Sequence, residues 1–166
     1  TGKIALTVTG ILIVVGAAAF YVFEYDNPLT MQDYTVPQRI WASLFQAVTT
    51  RTAGFATIPQ EDLTNTSAII SVLLMLIGGS PVGTAGGMKT VTIAVLLVSM
   101  FATIGSKEDA ELFGRNIPKQ AVNKSVAVVG MFFIIASLSA IFLSAVTDAD
   151  VIDIVYETVS ATATVG

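Results

Sequence analysis

The sequence contains no cysteine and no histidine, and it carries little charge. Only 12 % of its 166 residues are charged, whereas charged residues make up about a quarter of a typical soluble domain. The missing cysteines exclude disulfides and thiolate metal sites. The missing histidines exclude imidazole ligands and every catalytic triad that needs an imidazole. These absences argue against hydrolytic and redox chemistry, and we expect no enzymatic activity.

The chain is instead rich in long apolar runs. Hydrophobic residues make up 54 % of the chain, and the mean hydropathy is +0.78. Residues 4–23 and 121–146 are each long enough to cross a hydrocarbon core of about 30 Å. The first run lacks a basic leading region and a cleavage site, so we do not interpret it as a signal peptide. The sequence predicts an all-α integral membrane protein in the cytoplasmic membrane.

Two further helices are too short to cross a membrane. Residues 39–50 would form a helix about 18 Å long, and residues 151–161 are similar. Polar segments flank the first helix and return the chain to the surface that it left, which predicts a re-entrant loop. Each helix runs into a turn rich in threonine and glycine: Phe45-Gln-Ala-Val-Thr-Thr-Arg-Thr-Ala-Gly-Phe55 and Tyr156-Glu-Thr-Val-Ser-Ala-Thr-Ala-Thr-Val-Gly166. Phe45 and Tyr156 are 111 residues apart, and Gly54 and Gly166 are 112 apart, which indicates an internal repeat.

A third apolar span, residues 66–104, is interrupted by the loop 78–89. The loop reads Gly78-Gly-Ser-Pro-Val-Gly-Thr-Ala-Gly-Gly-Met-Lys89, which misses the nucleotide-binding P-loop because Met88 stands where the last glycine must be. Irregular backbone at membrane depth persists only where protein covers it or it lines water. We therefore expect a gate below the pore, with Lys89 facing a cytoplasmic vestibule. A plain cytosolic turn between two short helices is the alternative.

Charge placement predicts the orientation of the chain. The linker 105–124 is rich in lysine and arginine, so the positive-inside rule makes it cytoplasmic, and both half-length helices then enter from outside. The opposite surface is acidic and would concentrate cations at the pore mouth. The predicted organisation is one pore repeat over residues 1–104, the linker 105–124, and the first half of another repeat over residues 125–166.

The turn after the first half-length helix is a candidate ion site. Backbone carbonyls can replace the water of a dehydrated cation, and Gly54 readily takes the positive φ that points consecutive carbonyls to one axis. The helix also presents its negative dipole end there, which favours a cation. The alternative for this turn is an ordinary helix C-cap. We expect Arg51 to brace the turn from behind, bonding helix-end carbonyls or pairing with Glu157; direct control of ion entry is the other interpretation.

These motifs resemble the Trk/Ktr/HKT superfamily of potassium transporters, and the first motif is closest to the membrane subunit of bacterial Ktr systems. The resemblance implies four helix, pore-helix, helix repeats around one pore, of which this chain would hold the third and half of the fourth. We therefore expect a fragment that ends inside its own filter. The resemblance also implies a homodimer on a cytosolic nucleotide-binding (RCK-type) regulatory subunit, with K⁺ as the transported ion and Na⁺ as an activator or co-ion. The implied filter residues are Thr52, Ala53, Gly54, Phe55, Thr164, Val165 and Gly166, with 51–55 and 162–166 as the filter segments. The implied gate residues are Gly78, Gly79, Ser80, Gly83, Thr84, Gly86, Gly87 and Lys89.

The resulting prediction is potassium uptake through a selectivity filter gated by an intramembrane loop. A sodium-permeable transporter of monovalent cations and a non-conducting membrane scaffold are the alternatives. Water and glycerol pores also use half-length helices, but they bring helix N-termini with Asn-Pro-Ala to the middle of the membrane, and neither half-length helix here does so. Membrane lipid is an expected partner and nucleic acid is not.

Overall fold

Helices dominate the structure. A computed structural model describes residues 2–79, 86–105, 111–112 and 115–166. The elements in chain order are α1 Gly2–Phe23, α2 Val36–Thr49, α3 Asn65–Leu76, α4 Thr90–Ile104, β1 Glu111–Leu112, β2 Arg115–Asn116, α5 Lys119–Val146 and α6 Val151–Ala163. The prediction of a helical protein is confirmed. One antiparallel strand pair, β1 with β2, was not predicted.

Several helix ends match the predicted ones or differ by one residue, and others differ by two or three residues for local reasons. Helix α2 begins three residues before the predicted residue 39, because the backbone N–H and hydroxyl of Thr35 both donate to Gln38 Oε1, at 2.9 and 2.8 Å. Pro37 is tolerated in the first turn, where its missing N–H would have had no helical partner. Helix α5 starts at Lys119, directly after Pro118. Helix α6 continues to Ala163, two residues beyond the predicted end.

Helices α3 and α4, on either side of the predicted interruption, both lie against α1. Helix α3 also contacts α6, and helix α4 also contacts α5. The ends of the interruption lie side by side, since the N–H of Met88 donates to Leu76 O at 3.1 Å and that of Thr90 to Gly79 O at 3.4 Å. The chain therefore leaves the span and rejoins it at nearly the same place.

Within the described residues, two helices, α1 and α5, are long and apolar enough to cross a membrane. Only 11 % of the most apolar stretch of each is buried within the chain. Large side chains such as Leu6 (79 % exposed) and Phe142 (72 % exposed) lie on the outer faces. Apolar surface of this extent needs lipid or protein to cover it.

A buried carboxylate joins the end of α1 to the start of α3. Glu24 is fully buried and accepts from Thr30 Oγ1 at 2.6 Å, Asn27 Nδ2 at 2.7 Å, and the hydroxyl and N–H of Thr64 at 2.8 and 3.0 Å. Burial alone would raise the pKa of Glu24, but the hydrogen bonds from Ser67, Thr30 and Thr64 outweigh burial and lower this pKa below its ordinary value. The carboxylate is thus held in its charged form.

Candidate functional site

The two threonine- and glycine-rich turns adopt the same unusual backbone. Thr52 has φ of 72° and Gly54 of 74°; Thr164 has 57° and Gly166 has 112°. The equivalent residues are 112 positions apart in each pair, so the spacing found in the sequence is also the spacing of the backbone pattern. A left-handed conformation costs a β-branched residue such as threonine about 1–2 kcal/mol, and strain of this kind clusters at functional sites.

The two turns touch each other through their backbones. A Cβ atom placed on Gly54 would overlap the carbonyl oxygen of Val165 and would lie 3.8 Å from Gly166 Cα. A Cβ on Gly166 would in turn lie 3.8 Å from Gly54 Cα. Any side chain at Gly54 must therefore displace a backbone carbonyl of the other turn. A small cavity of about 50 Å³ is lined by both turns.

Hydroxyl groups in the last turns of α2 and α6 hold a carbonyl of each turn. Thr49 Oγ1 donates to Phe55 O at 2.6 Å and accepts from the Phe55 N–H at 2.8 Å. Ser160 Oγ donates to Gly166 O at 2.8 Å. The two hydroxyls lie 111 residues apart, as do the two carbonyls that they bind. The sequence analysis missed both anchors, although the repeat spacing would have identified them as a matched pair.

The loop between α3 and α4 reaches the second turn. The N–H of Gly86 donates to Thr164 Oγ1 at 2.9 Å, and a Cβ on Gly86 would lie 2.7 Å from Ala163 O. A Cβ on Gly78 would overlap Gly86 O, and Gly87 has φ of 67°. The described ends of the predicted gate are thus packed against each other and against Thr164, one of the predicted filter residues. Of the other predicted gate residues, Lys89 is the N-cap of α4, whereas Ser80, Gly83 and Thr84 lie outside the described residues.

Arg51 lies between the first turn, α1 and the end of α3. Its Nη2 atom is 3.2 Å from Thr9 Oγ1 and 3.4 Å from the carbonyl oxygen of Gly78. Gly78 lies two residues beyond the last residue of α3, so Arg51 contacts a carbonyl at the start of the interrupting loop, and its role as a brace stays a prediction. No hydrogen bond or ion pair joins Arg51 to Glu157, the acidic partner considered in the sequence analysis, and both residues are described.

Acidic side chains line a second, larger cavity of about 450 Å³ next to the turns. Glu61, Asp150, Asp153 and Glu157 contribute to its wall, and they come from the segment after the first turn and from the start of α6. Carboxyl groups gathered around one cavity raise the local concentration of cations. These acidic residues therefore form a concave region close to the predicted filter residues.

The matched glycine turns, the interrupted span and the acidic cavity point to one class of protein, and comparison with known proteins identifies it. Residues 2–166 match the family described as TrkH, cation transport protein. The chain belongs to the TrkH family. It is 35 % identical over 164 residues to Ktr system potassium uptake protein B of Bacillus subtilis, with 99 % of this chain and 37 % of that protein covered. Potassium/sodium uptake protein NtpJ of Enterococcus hirae is 35 % identical over 171 residues, covering 99 % of this chain and 37 % of that relative. The Ktr system potassium uptake protein B of Vibrio alginolyticus is 34 % identical over 165 residues, covering 99 % and 36 %.

Membership of the TrkH family confirms the resemblance found in the sequence. It makes the chain part of a family of membrane cation transporters, which is not a class of enzymes. The chain spans a little over a third of the length of these relatives. The activity of a complete transporter is therefore a matter for proposal.

One further group in this TrkH-family chain was missed by the sequence analysis. The side chain of Gln60, in the segment after the first turn, bonds to Gln46 on α2 and to Tyr156 on α6. Glutamine in a polar loop carries no pattern by itself. The nearest signal in the sequence is Gln46, a polar residue of a largely apolar helix, which the structure buries fully.

Proposed function

We propose that this chain supplies two quarters of a potassium-selective filter, for uptake across the cytoplasmic membrane. The observation that carries the proposal is the backbone contact between the turns at Gly54 and Val165–Gly166. Thr52, Ala53, Gly54 and Phe55 would give one set of carbonyl ligands, and Thr164, Val165 and Gly166 the other. Rings of backbone carbonyls coordinate dehydrated cations without a fixed charge. K⁺ is the cargo of this site, and Na⁺ would act as activator or co-ion.

A sodium-permeable transporter is the second candidate. One relative at 35 % identity is named a potassium/sodium uptake protein, while two others are named potassium uptake proteins. The motif Thr-Thr-Arg-Thr-Ala-Gly-Phe, at residues 49–55, most resembles that of the membrane subunit of bacterial Ktr systems. Potassium is therefore the preferred cargo in this proposal.

The interrupting loop would act as the gate. Support comes from the hydrogen bond between the Gly86 N–H and Thr164 Oγ1 and from the contact of Arg51 with the Gly78 carbonyl. Each described end of the loop thus touches a residue of a different filter turn. Deleting several residues within 79–87 should raise flux, and a folded deletion variant with unchanged flux would reduce the loop to a connecting turn.

Orientation and assembly follow from charge and from resemblance. The linker between α4 and α5 would face the cytoplasm and the pore loops would face outside. Membership of a Ktr-like system favours a homodimer on a cytosolic nucleotide-binding regulatory subunit. Purifying the membrane subunit with and without the regulatory subunit would detect both the second copy of the membrane subunit and the regulatory subunit.

The decisive experiment is rubidium uptake into proteoliposomes by the full-length transporter polypeptide that carries this sequence. Sodium serves as competitor, and Gly54→Ser is compared with wild type. Gly130→Ser is the matched control, because a Cβ at Gly130 meets nothing within 4 Å. We expect Gly54→Ser to lose discrimination against sodium and the control to keep it. Equal discrimination in the two variants would overturn the filter assignment, and a wild-type protein without uptake would favour a non-conducting scaffold.

A further inference from the structure

The side chain of Gln60 is the hub of a hydrogen-bonded triad that joins α2 to α6. Gln60 Oε1 accepts from Gln46 Nε2 at 2.7 Å and from the hydroxyl of Tyr156 at 2.7 Å. Gln60 Nε2 donates to Gln46 Oε1 at 3.2 Å and to Ile58 O at 2.7 Å. These bonds cross 14 and 96 positions of sequence, so one amide connects two copies of the repeat.

The amide of Gln60 has no capacity left for other partners. A primary amide has two donor hydrogens and two acceptor lone pairs, and each of the four is used here. Its partner Gln46 is fully buried. Hydrogen-bonded polar networks in the interior help to specify one arrangement of the elements that they join. The relative position of α2 and α6 is therefore defined at this point by hydrogen bonds as well as by apolar packing.

The triad lies about one helical turn from the hydroxyls that hold the filter carbonyls. Gln46 precedes Thr49 by three residues on α2, and Tyr156 precedes Ser160 by four on α6. Gln60 and Tyr156 also line both the small cavity between the turns and the acidic cavity beside it. A shift of one half-length helix against the other would thus move one set of filter carbonyls relative to the other set.

We propose that Gln60 is a positioning residue that sets the spacing between the two filter turns and thereby the preference for potassium over sodium. The inference rests on the proposed function. Potassium and sodium differ in the ring of oxygens that replaces their hydration shell, so looser spacing should weaken discrimination. Gln60 and Tyr156 act through the helices that carry Thr49 and Ser160, and they need not contact the ion.

The test measures half-saturation constants for rubidium and sodium in proteoliposomes with the full-length transporter. Tyr156→Phe removes one hydroxyl and keeps the ring, and Gln60→Met keeps the length of the side chain and removes the amide. Tyr156→Phe should lower the ratio of the sodium constant to the rubidium constant by about three- to tenfold, the effect of one lost hydrogen bond. Gln60→Met removes all four bonds of the amide and should lower this ratio at least as much. Because both act on one hub, Tyr156→Phe should add little in the Gln60→Met background. Maximal uptake per folded protein should change less than the ratio.

Matched controls come from exposed residues of the same types. Tyr25→Phe and Gln32→Met alter exposed side chains and should leave the ratio unchanged. If the wild type takes up rubidium and Tyr156→Phe keeps the wild-type ratio, the positioning role alone is overturned. Fully additive effects in the double variant would overturn it too. An inactive wild type would instead overturn the proposed function. If Gln60→Met fails to fold, the ratio for Tyr156→Phe decides the question.

Discussion

Replacing Glu24 with glutamine should destabilise the junction between α1 and α3. The carboxylate accepts two hydrogen bonds on each oxygen. Glutamine exchanges one of these acceptors for an NH₂ group, which then faces either the Thr64 N–H or the Asn27 amide. A lost hydrogen bond to a charged group is worth about 1.5–3 kcal/mol, and a buried donor without a partner costs about 1–3 kcal/mol. Allowing for rotation of the hydroxyls, we expect a loss of about 3 kcal/mol.

The assay is the midpoint of thermal unfolding of the full-length protein in detergent micelles. Asp26→Asn is the matched control, since Asp26 lies two residues after Glu24, carries the same charge and is exposed. We expect a lower midpoint for Glu24→Gln and almost no change for the control. Equal midpoints for Glu24→Gln and wild type would refute the reasoning, as would equal shifts in the two variants.

The same comparison has a defined pH dependence. Hydrogen bonds lower the pKa of Glu24 in the folded protein below its ordinary value of 4.5. The stabilisation is therefore fully present above pH 4.5 and is lost as the pH falls through the lower pKa of the folded state. The difference in midpoint between wild type and Glu24→Gln should be constant at neutral pH and shrink in acid. A difference that grows in acid would contradict this assignment.

Three further predictions concern the filter turns and the packing behind them. Gly86→Ala should raise rubidium flux, because its Cβ would lie 2.6 Å from the methyl group of Thr164 and would force the proposed gate loop away from this turn. The control Gly130→Ala, whose Cβ meets nothing within 4 Å, should transport like wild type. Thr49→Val removes the hydroxyl that holds the first carbonyl and should reduce discrimination against sodium in competition uptake by about three- to tenfold. Gly16→Val should lower the unfolding free energy by about 1–3 kcal/mol, because even a Cβ there would lie 2.9 Å from a neighbouring leucine. Gly10→Val, where a Cβ meets nothing within 4 Å, should leave the unfolding midpoint nearly unchanged.

Much of the helical fold could be predicted because apolar length is a local property. The long spans and the two short helices follow from how many apolar residues occur in a row. Helix starts were harder, since they depend on single contacts such as the Thr35 N–H with Gln38 Oε1. The strand pair β1 and β2 has only two residues in each strand, which is too short for any hydrophobic alternation to indicate it.

The pairing of the two turns could be predicted because the motif repeats. The glycines at 54 and 166 were found because the chain carries two similar motifs. The hub at Gln60 was not found, since its partners are 14 and 96 residues away and depend on how α2 and α6 meet in space. The role of Glu24 was also missed, because an acidic residue after a span is usually solvated and its partner Thr64 is 40 residues away.

The two turns belong to one chain and differ in spacing, so mutation can change them independently. The helical anchors are 111 residues apart and the left-handed residues 112, so the second turn is reached after one extra residue. In an assembly of identical subunits, one codon change alters every turn at once. Here each turn has its own codons, so a substitution changes one turn of the proposed filter and leaves the other turn unchanged. If the proposal holds, selection can adjust ion preference in small, unequal steps.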